Sequence, residues 1–209
     1  MTAVPGSPDV IAKEASDVRV PFIVIVPNEA VTVRIAECLA PLLQPGDVVL
    51  LDGGLAAGKT FFARHVVESL KTDDDISSPT YTIANIYQSL RCDVLHVDAY
   101  RLADAQEFHN LGLEMEIEAS ICLIEWGSRI DAAFDDYLQI SLLPVSGQEG
   151  GRRFVISAQG LRSNCLMDKF QQDCDASWRC SLFFYKIQQG KCRLVWPRAI
   201  TCCLTATWM

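Results

Sequence analysis

The fold is decided by the stretch Gly53-Gly54-Leu55-Ala56-Ala57-Gly58-Lys59-Thr60, which fits the phosphate-binding loop (P-loop) pattern G-x-x-x-x-G-K-[ST]. The apolar run before it, residues 47–52, predicts a buried strand, and residues 61–70 predict an amphipathic helix. In that context the glycines let backbone N–H groups curl around phosphate oxygens, and the helix N-terminus adds its positive dipole end. The stretch therefore predicts a nucleoside triphosphate site, and the alternative is a glycine-rich turn that carries a lysine.

Four residues have chemistry that such a loop requires. Lys59 is predicted to reach the β- and γ-phosphates, and the Thr60 hydroxyl to ligate Mg²⁺. Asp98 and Glu125 each end an apolar run, where a carboxylate is unfavourable unless it meets a cation or hydrogen-bond donors. Both are therefore candidates to hold Mg²⁺ or to position a water molecule. The alternative for either carboxylate is solvation, or capping of the next helix.

Strand and helix patterns alternate through the first 160 residues. Asn28 is the predicted N-cap of a helix over 29–43, which follows a strand over 21–26. Further strands are expected over 81–87, 94–97, 121–125, 138–143 and 153–157, with a short helix over 103–110. This alternation predicts an α/β fold of the P-loop NTPase type, with a mainly parallel central sheet flanked by helices and antiparallel strands at the edge.

Composition limits the class of protein. The chain has 209 residues, half of them apolar, and a net charge of −8. This length suits one α/β domain. The negative charge argues against broad nucleic-acid binding, so no DNA partner is expected. Apolar stretches are too short for a membrane span and the first residues lack a signal-peptide pattern, so we expect a cytoplasmic protein without a membrane partner.

The last 49 residues differ from the rest of the chain. They hold six of the nine cysteines and three of the four tryptophans, and carry a net charge of +4 against −12 for the first 160 residues. The cysteine spacings match no C-x₂-C zinc pattern. We therefore expect a loose leader over 1–19, a P-loop ATPase domain over 20–160, and a Cys/Trp-rich tail over 161–209. The tail is interpreted as a disordered lineage-specific appendage or an out-of-frame translation, and the lack of a periodic pattern favours the second.

A hydroxyl-rich segment follows the predicted P-loop helix at Ser77–Thr82. Its position suits a switch that senses the γ-phosphate, and an ordinary Ser-Pro turn is an equal alternative. His96 is interpreted as a packed or hydrogen-bonded histidine, since no second metal ligand lies at a suitable spacing.

Taken together, these segments resemble the TsaE family (also called YjeE), small bacterial P-loop ATPases of tRNA threonylcarbamoyladenosine (t6A) biosynthesis. The P-loop is followed by S-P-T-[FY]-T at residues 78–82, by H-x-D-x-Y-R-L at 96–102, and by Glu125-Trp126 at a strand end. The resemblance covers roughly residues 20 to 160. It implies assembly with TsaB and TsaD, contact with tRNA only through that complex, and a weak Mg²⁺-dependent ATPase activity that the partners raise.

The resemblance also implies a role for each matching residue. Lys59, Asp98 and Glu125 form the catalytic set, with Asp98 needed for hydrolysis, and Thr60 and Glu125 are the magnesium-linked pair. The residues expected to bind ATP or ADP are those of the loop and its flanks: Glu29, Thr32, Gly53, Gly54, Leu55, Ala56, Ala57, Gly58, Lys59, Thr60, Phe61, Thr80, Gly151 and Arg152.

The loop departs from the family pattern G-D-L-G-A-G-K-T at two positions, because Gly54 replaces the aspartate and Ala56 the second glycine. If position 56 needs a positive φ, alanine costs about 1 kcal/mol there and weakens phosphate binding. That favours one alternative function, a nucleotide-binding scaffold that hydrolyses little. The other alternative is a P-loop kinase of a small metabolite, although residues 102–135 contain no arginine-rich lid.

Overall fold

The structure is a computed structural model that describes residues 20–145, 150–177, 184–188 and 191–195. The predicted leader over 1–19, and the parts of the predicted tail between and after the described ranges, lie outside the described residues. Among the described residues, no helix combines the length and apolar character that crossing a bilayer requires.

Strands and helices alternate through most of the described chain. The strands are β1 (Phe22–Val26), β2 (Val48–Asp52), β3 (Ala84–Tyr87), β4 (Val94–Asp98), β5 (Ile121–Glu125), β6 (Tyr137–Pro144), β7 (Arg152–Gln159), β8 (Phe184–Gln188) and β9 (Lys191–Val195). The helices are α1 (Glu29–Leu39), α2 (Lys59–Ser69), α3 (Ala105–His109), α4 (Glu114–Ala119) and α5 (Leu161–Ser177).

All the strands belong to one sheet in the order β3-β4-β5-β2-β6-β7-β1-β8-β9. The four central strands β4, β5, β2 and β6 are parallel, and their neighbours on both sides are antiparallel. The predicted α/β fold, with a parallel centre and antiparallel edges, is confirmed. Because β4, β5 and β2 are parallel, their carboxyl ends meet at one edge of the sheet, where α/β proteins bind ligands.

The central strand β2 is buried on both faces. Val49 and Leu51 face the core under α1, α2 and α5, while Val48 and Leu50 face the core on the opposite side, where Phe108 of α3 packs. A parallel strand covered on both faces reads as a continuous apolar run, which is why residues 48–51 contain only valine and leucine. The last residue of this strand leads directly into the P-loop.

Two predicted elements differ from the structure by three residues or more at one end, and one short helix was missed. The first helix ends at Leu39 and continues as a 3₁₀ turn over Ala40–Leu42, because Pro41 has no N–H for the α-helical bond. The strand expected from residue 81 begins only at Ala84, since Ile83 has a φ of 70° and residues 80–82 form turns. The short helix α4 was not predicted.

Helix α5 lies in the region that sequence analysis assigned to the tail. Its side chains Leu166, Met167, Phe170 and Cys174 are buried in the core, at a spacing typical of an amphipathic helix. The carboxylate of Asp136 caps its first turn by accepting from two backbone N–H groups. An amphipathic pattern therefore does extend past residue 160, contrary to the expectation. The division into a domain over 20–160 and a separate tail stays a prediction.

Candidate nucleotide site

The P-loop connects the end of β2 to the start of α2, and two of its glycines are required by the backbone. Gly53 has a φ of 144° and Gly58 a φ of 101°. A Cβ on Gly53 would lie 2.6 Å from the carbonyl oxygen of Leu142. Ala56 also adopts a left-handed conformation, with a φ of 58°. Position 56 therefore does need a positive φ, whereas Gly54 has open space around it and no such conformation.

Lys59 is folded back onto the loop that precedes it. Its side-chain ammonium donates hydrogen bonds to the carbonyl oxygens of Gly53 and Gly54, both at 2.9 Å, and lies 3.8 Å from the ring centroid of Trp126. Only 4% of Lys59 is exposed. These partners satisfy the buried ammonium in the arrangement that the structure describes.

Burial lowers the pKa of Lys59 from its ordinary value of 10.5, and three nearby carboxylates oppose that shift. The carboxylates belong to Glu125, Asp98 and Asp52, in decreasing order of effect. A desolvated ammonium interacts more strongly with an anion than a hydrated one does. The site therefore combines a buried ammonium with three carboxylates close enough to influence its pKa.

Glu125 lies at the end of β5 and links two residues through its two oxygens. The Thr60 hydroxyl donates to Oε2 at 2.8 Å, and His96 Nε2 lies 3.0 Å from Oε1. Glu125 is 3% exposed and His96 is fully buried. A hydroxyl and a carboxylate are hard oxygen donors of the kind Mg²⁺ prefers, and Mg²⁺ commonly takes only one or two protein ligands beside phosphates and water. The donor set therefore fits Mg²⁺, and Thr60 and Glu125 are the residues that would hold it.

Asp98, at the end of β4, contacts the predicted switch segment. Its Oδ2 accepts from the Thr80 hydroxyl at 2.8 Å, and its Oδ1 accepts from the backbone N–H of Tyr100 at 3.0 Å. The Ser78 and Thr80 hydroxyls are themselves 2.8 Å apart. Two donors therefore fix Asp98. In the pairing of β4 with β5, Asp98 lies opposite Glu125. The structure brings the switch segment and the two strand-end carboxylates to one place.

Two pockets flank the loop. We call the larger one, of about 360 Å³, the phosphate pocket, and the smaller one, of about 150 Å³, the flank pocket. The phosphate pocket is lined by Leu55, Ala56, Ala57, Gly58, Lys59, Thr60, Phe61, Thr80, Asp98, Tyr100, Glu125 and Trp126. The flank pocket is lined by Asn28, Glu29, Thr32, Ala56, Ala57, Gly58, Phe61, Leu142, Gly150 and Arg152. The three predicted catalytic residues therefore share the phosphate pocket.

The late glycine–arginine segment lies beside the flank pocket. Arg152 donates from Nε to the carbonyl oxygen of Ala57 at 2.6 Å, and from Nη1 to that of Gly150 at 2.7 Å. Gly151 is buried and lines neither pocket, and its neighbour Gly150 does so instead. Arg152 thus contacts the P-loop through the carbonyl oxygen of Ala57.

Five residues of the pockets were not among the predicted site residues: Asn28, Tyr100, Trp126, Leu142 and Gly150. Trp126 and Tyr100 both belong to motifs quoted above, and their rings pack against each other with centroids 5.1 Å apart. Both could have been found from their positions, because Trp126 directly follows Glu125 and Tyr100 lies two residues after Asp98. Leu142 gave no local signal, because the pairing of β6 with β2 brings it to the loop.

With this geometry in place, comparison with known proteins identifies the family. The model of the family "Threonylcarbamoyl adenosine biosynthesis protein TsaE" matches residues 26–153, which is more than half of the chain. The chain belongs to the TsaE family. That match begins at the end of β1 and ends in β7, so it includes every residue of the phosphate pocket.

Individual relatives agree with the family match. A TsaE protein of Rickettsia felis is 38% identical over 107 residues, which are 51% of this chain and 63% of that protein, a little under two thirds of its length. A TsaE protein of Treponema pallidum is 35% identical over 60% of this chain and 93% of its own length. The crystal structure of Bacillus subtilis YdiB is similar with a TM-score of 0.61 and 28% identity, covering 74% of this chain and 97% of that one.

Membership confirms the family that the motifs indicated. TsaE proteins take part in t6A biosynthesis, and the family consists of P-loop nucleotide-binding proteins. This chain has the P-loop and the two strand-end carboxylates at the positions that the motif order requires.

Proposed function

We propose that this TsaE protein binds ATP with Mg²⁺ and hydrolyses it slowly, in support of a cytoplasmic t6A-forming complex with TsaB and TsaD. The observation that carries the proposal is the convergence of Lys59, Thr60, Asp98 and Glu125 on one pocket beside the P-loop. Each of these four side chains has a distinct part in phosphoryl transfer chemistry. On this proposal the protein reaches tRNA only through its partners, and residues 20–160 form the ATPase domain.

Lys59 would move its ammonium from the loop carbonyls to the β- and γ-phosphates when a nucleotide arrives. The two bonds of 2.9 Å to Gly53 and Gly54 are to neutral acceptors, and a charged phosphate is the stronger partner. Backbone N–H groups of the loop and of the start of α2 would hold the phosphate oxygens. On this proposal the two carbonyl oxygens accept from the Lys59 ammonium only until phosphate binds.

Thr60 and Glu125 would hold Mg²⁺ between the loop and β5. Their 2.8 Å contact shows that a hydroxyl and a carboxylate oxygen already face the same small space. The metal supplies charge neutralisation at the β- and γ-phosphate oxygens when it is bound. These two side chains would hold the metal beside the phosphates that Lys59 also binds.

Asp98 would orient the attacking water and accept its proton. It is 6% exposed, and Thr80 occupies one of its oxygens. A γ-phosphate in the pocket would compete for the Thr80 hydroxyl, which would release Oδ2 toward the water. The Ser77–Thr82 segment would thereby report the phosphate state to TsaB and TsaD, as switch segments do.

The proposal is tested by steady-state ATP hydrolysis of the full chain with Mg²⁺, alone and with added TsaB and TsaD. Weak activity that rises with the partners is the expected result. Asp98→Ala should lower hydrolysis by at least about 100-fold while ADP affinity stays within about threefold. The matched control is Asp93→Ala, since Asp93 lies exposed just before the other end of β4 and should leave hydrolysis unchanged.

Other outcomes favour the alternatives. Nucleotide binding without hydrolysis in either condition would support the scaffold, which the left-handed conformation of Ala56 makes a specific second candidate. ATP consumption that requires a small metabolite, with phosphate found on that metabolite, would support a kinase. No nucleotide binding at all would overturn the proposal.

A further inference from the structure

His96 is a fully buried polar side chain for which the proposed reaction has no stated part. It lies in the middle of β4 with its side chain on the same face as Val94 and Asp98, toward α2 and the P-loop. The parallel register places His96 opposite Leu123 and Asp98 opposite Glu125. His96 is therefore the diagonal neighbour of Glu125 on the face that carries the site.

Hydrogen bonding determines which nitrogen of His96 carries the proton. An ionised carboxylate only accepts, so the 3.0 Å contact with Glu125 Oε1 requires a proton on Nε2. Nδ1 is buried and has no hydrogen-bond partner. A proton on Nδ1 would leave a buried N–H unsatisfied, which is more unfavourable than an unpaired lone pair in a packed site. The geometry therefore favours a proton on Nε2, which donates to Glu125.

We infer that His96 is a positioning residue that fixes the Glu125 carboxylate for the magnesium-bound nucleotide. This inference rests on the proposed function. His96 occupies Oε1 and thereby directs Oε2 toward Thr60, the other residue expected to hold the metal. When Thr60 turns its hydroxyl to the metal, His96 is the contact that keeps the carboxylate in place. Outer contacts of this kind commonly change metal affinity by about 10- to 100-fold.

A matched pair of substitutions separates this role from simple packing. The amide nitrogen of His96→Gln reaches about as far as Nε2, whereas that of His96→Asn reaches only about as far as Nδ1. Both side chains are polar and smaller than histidine, so a packing defect would affect both. His109→Asn on the exposed part of α3 is the control for a histidine outside the site.

The measurement is the dissociation constant of a fluorescent ADP analogue with the full chain, in EDTA and across a series of Mg²⁺ concentrations. We expect His96→Asn to reduce the gain in affinity given by Mg²⁺ about tenfold while the constant in EDTA stays unchanged. His96→Gln should restore most of that gain. If Mg²⁺ raises the affinity equally in both variants and in the parent, the inference about His96 is overturned and the proposed function still stands. A parent that binds no nucleotide would overturn the proposed function instead.

A second measurement needs no substitution, so it applies even if His96→Asn fails to fold. Nitrogen-15 NMR of the full chain with labelled histidine distinguishes the two neutral forms of the imidazole ring. We expect Nε2–H for His96, kept when ADP and Mg²⁺ are added. A proton found on Nδ1, or loss of the Nε2–H signal on adding ADP and Mg²⁺, would overturn the inference.

Discussion

Replacing Ala56 by glycine should stabilise this protein, because Ala56 has a φ of 58° in the P-loop. A left-handed conformation costs an alanine roughly 1–2 kcal/mol relative to its favoured regions. Glycine avoids that strain. Its greater conformational entropy, however, stabilises the unfolded chain by about 0.5–1 kcal/mol relative to alanine. The difference leaves a gain of about 0.5–1 kcal/mol in the free energy of unfolding, or roughly 1–4 °C in Tm for a chain of this size.

The neighbouring alanine offers a control with the opposite sign. Ala57 is absent from the residues with positive φ, and its methyl group packs against the core. Ala57→Gly therefore relieves no strain, loses packing, and should lower the free energy of unfolding by about 0.5–1 kcal/mol. The same chemical change at adjacent positions thus raises stability at one and lowers it at the other.

Both variants are measured in the full chain by thermal and urea unfolding, and by titration with a fluorescent ADP analogue. Since the strained φ is already present without a nucleotide, Ala56→Gly should raise Tm and leave the dissociation constant within about twofold. An affinity gain of about fivefold with unchanged Tm, equivalent to about 1 kcal/mol, would refute this reasoning. It would mean that the free loop relaxes and that the strain arises only on binding.

Three further predictions follow from the site and the core. Nucleotide affinity in EDTA should fall as pH rises, beginning below pH 10.5, because burial lowers the pKa of Lys59 and the bound phosphate needs its charged form. Titrations from pH 7 to 10 test this, and Lys59→Arg should show no such fall, since arginine stays charged. Phe170→Ala should lower the free energy of unfolding by about 3–5 kcal/mol, because its ring is fully buried against Phe22. Urea unfolding measures the loss; Cys165→Ala on the exposed face of the same helix should change stability by less than about 0.5 kcal/mol, and an equal loss in both variants would contradict the packing of α5. Cys122 should resist a thiol reagent at pH 8, because burial raises its pKa to about 12, and peptide mapping should find the exposed Cys165 modified before Cys122. Early modification of Cys122 in the folded chain would contradict its burial.

Local sequence patterns were sufficient to predict the central fold. The bounds of β5 agree with the prediction at both ends, and β2 and β4 differ by one residue at one end. These strands are buried on both faces, so each reads as an apolar run that a short window detects. Helix α5 was missed because the unusual composition of the last 49 residues, and not the helical spacing of its buried positions, decided the prediction for that stretch.

The contacts within the site were less accessible to sequence reasoning. The residues Lys59, Thr60, Asp98 and Glu125 were all selected as candidates, because each lies in a recognisable motif or at a strand end. The hydrogen bond of Glu125 to His96 joins residues 29 apart, and its bond to Thr60 joins residues 65 apart. Residues so far apart in the chain share no local pattern that would predict their contact. Sequence analysis stated only what would follow if Ala56 had a positive φ, and the structure shows that its φ is 58°.

Side-chain chemistry and local patterns were enough to predict which residues suit a nucleotide site and which segments form the central strands. Those properties depend on side-chain type and on a periodicity that extends over a few neighbours. The tertiary structure alone decided that β4 and β5 lie side by side with Asp98 opposite Glu125, and that Trp126 covers Lys59. Such pairings depend on strand order and register, which are selected by burial of the whole core rather than by any one segment.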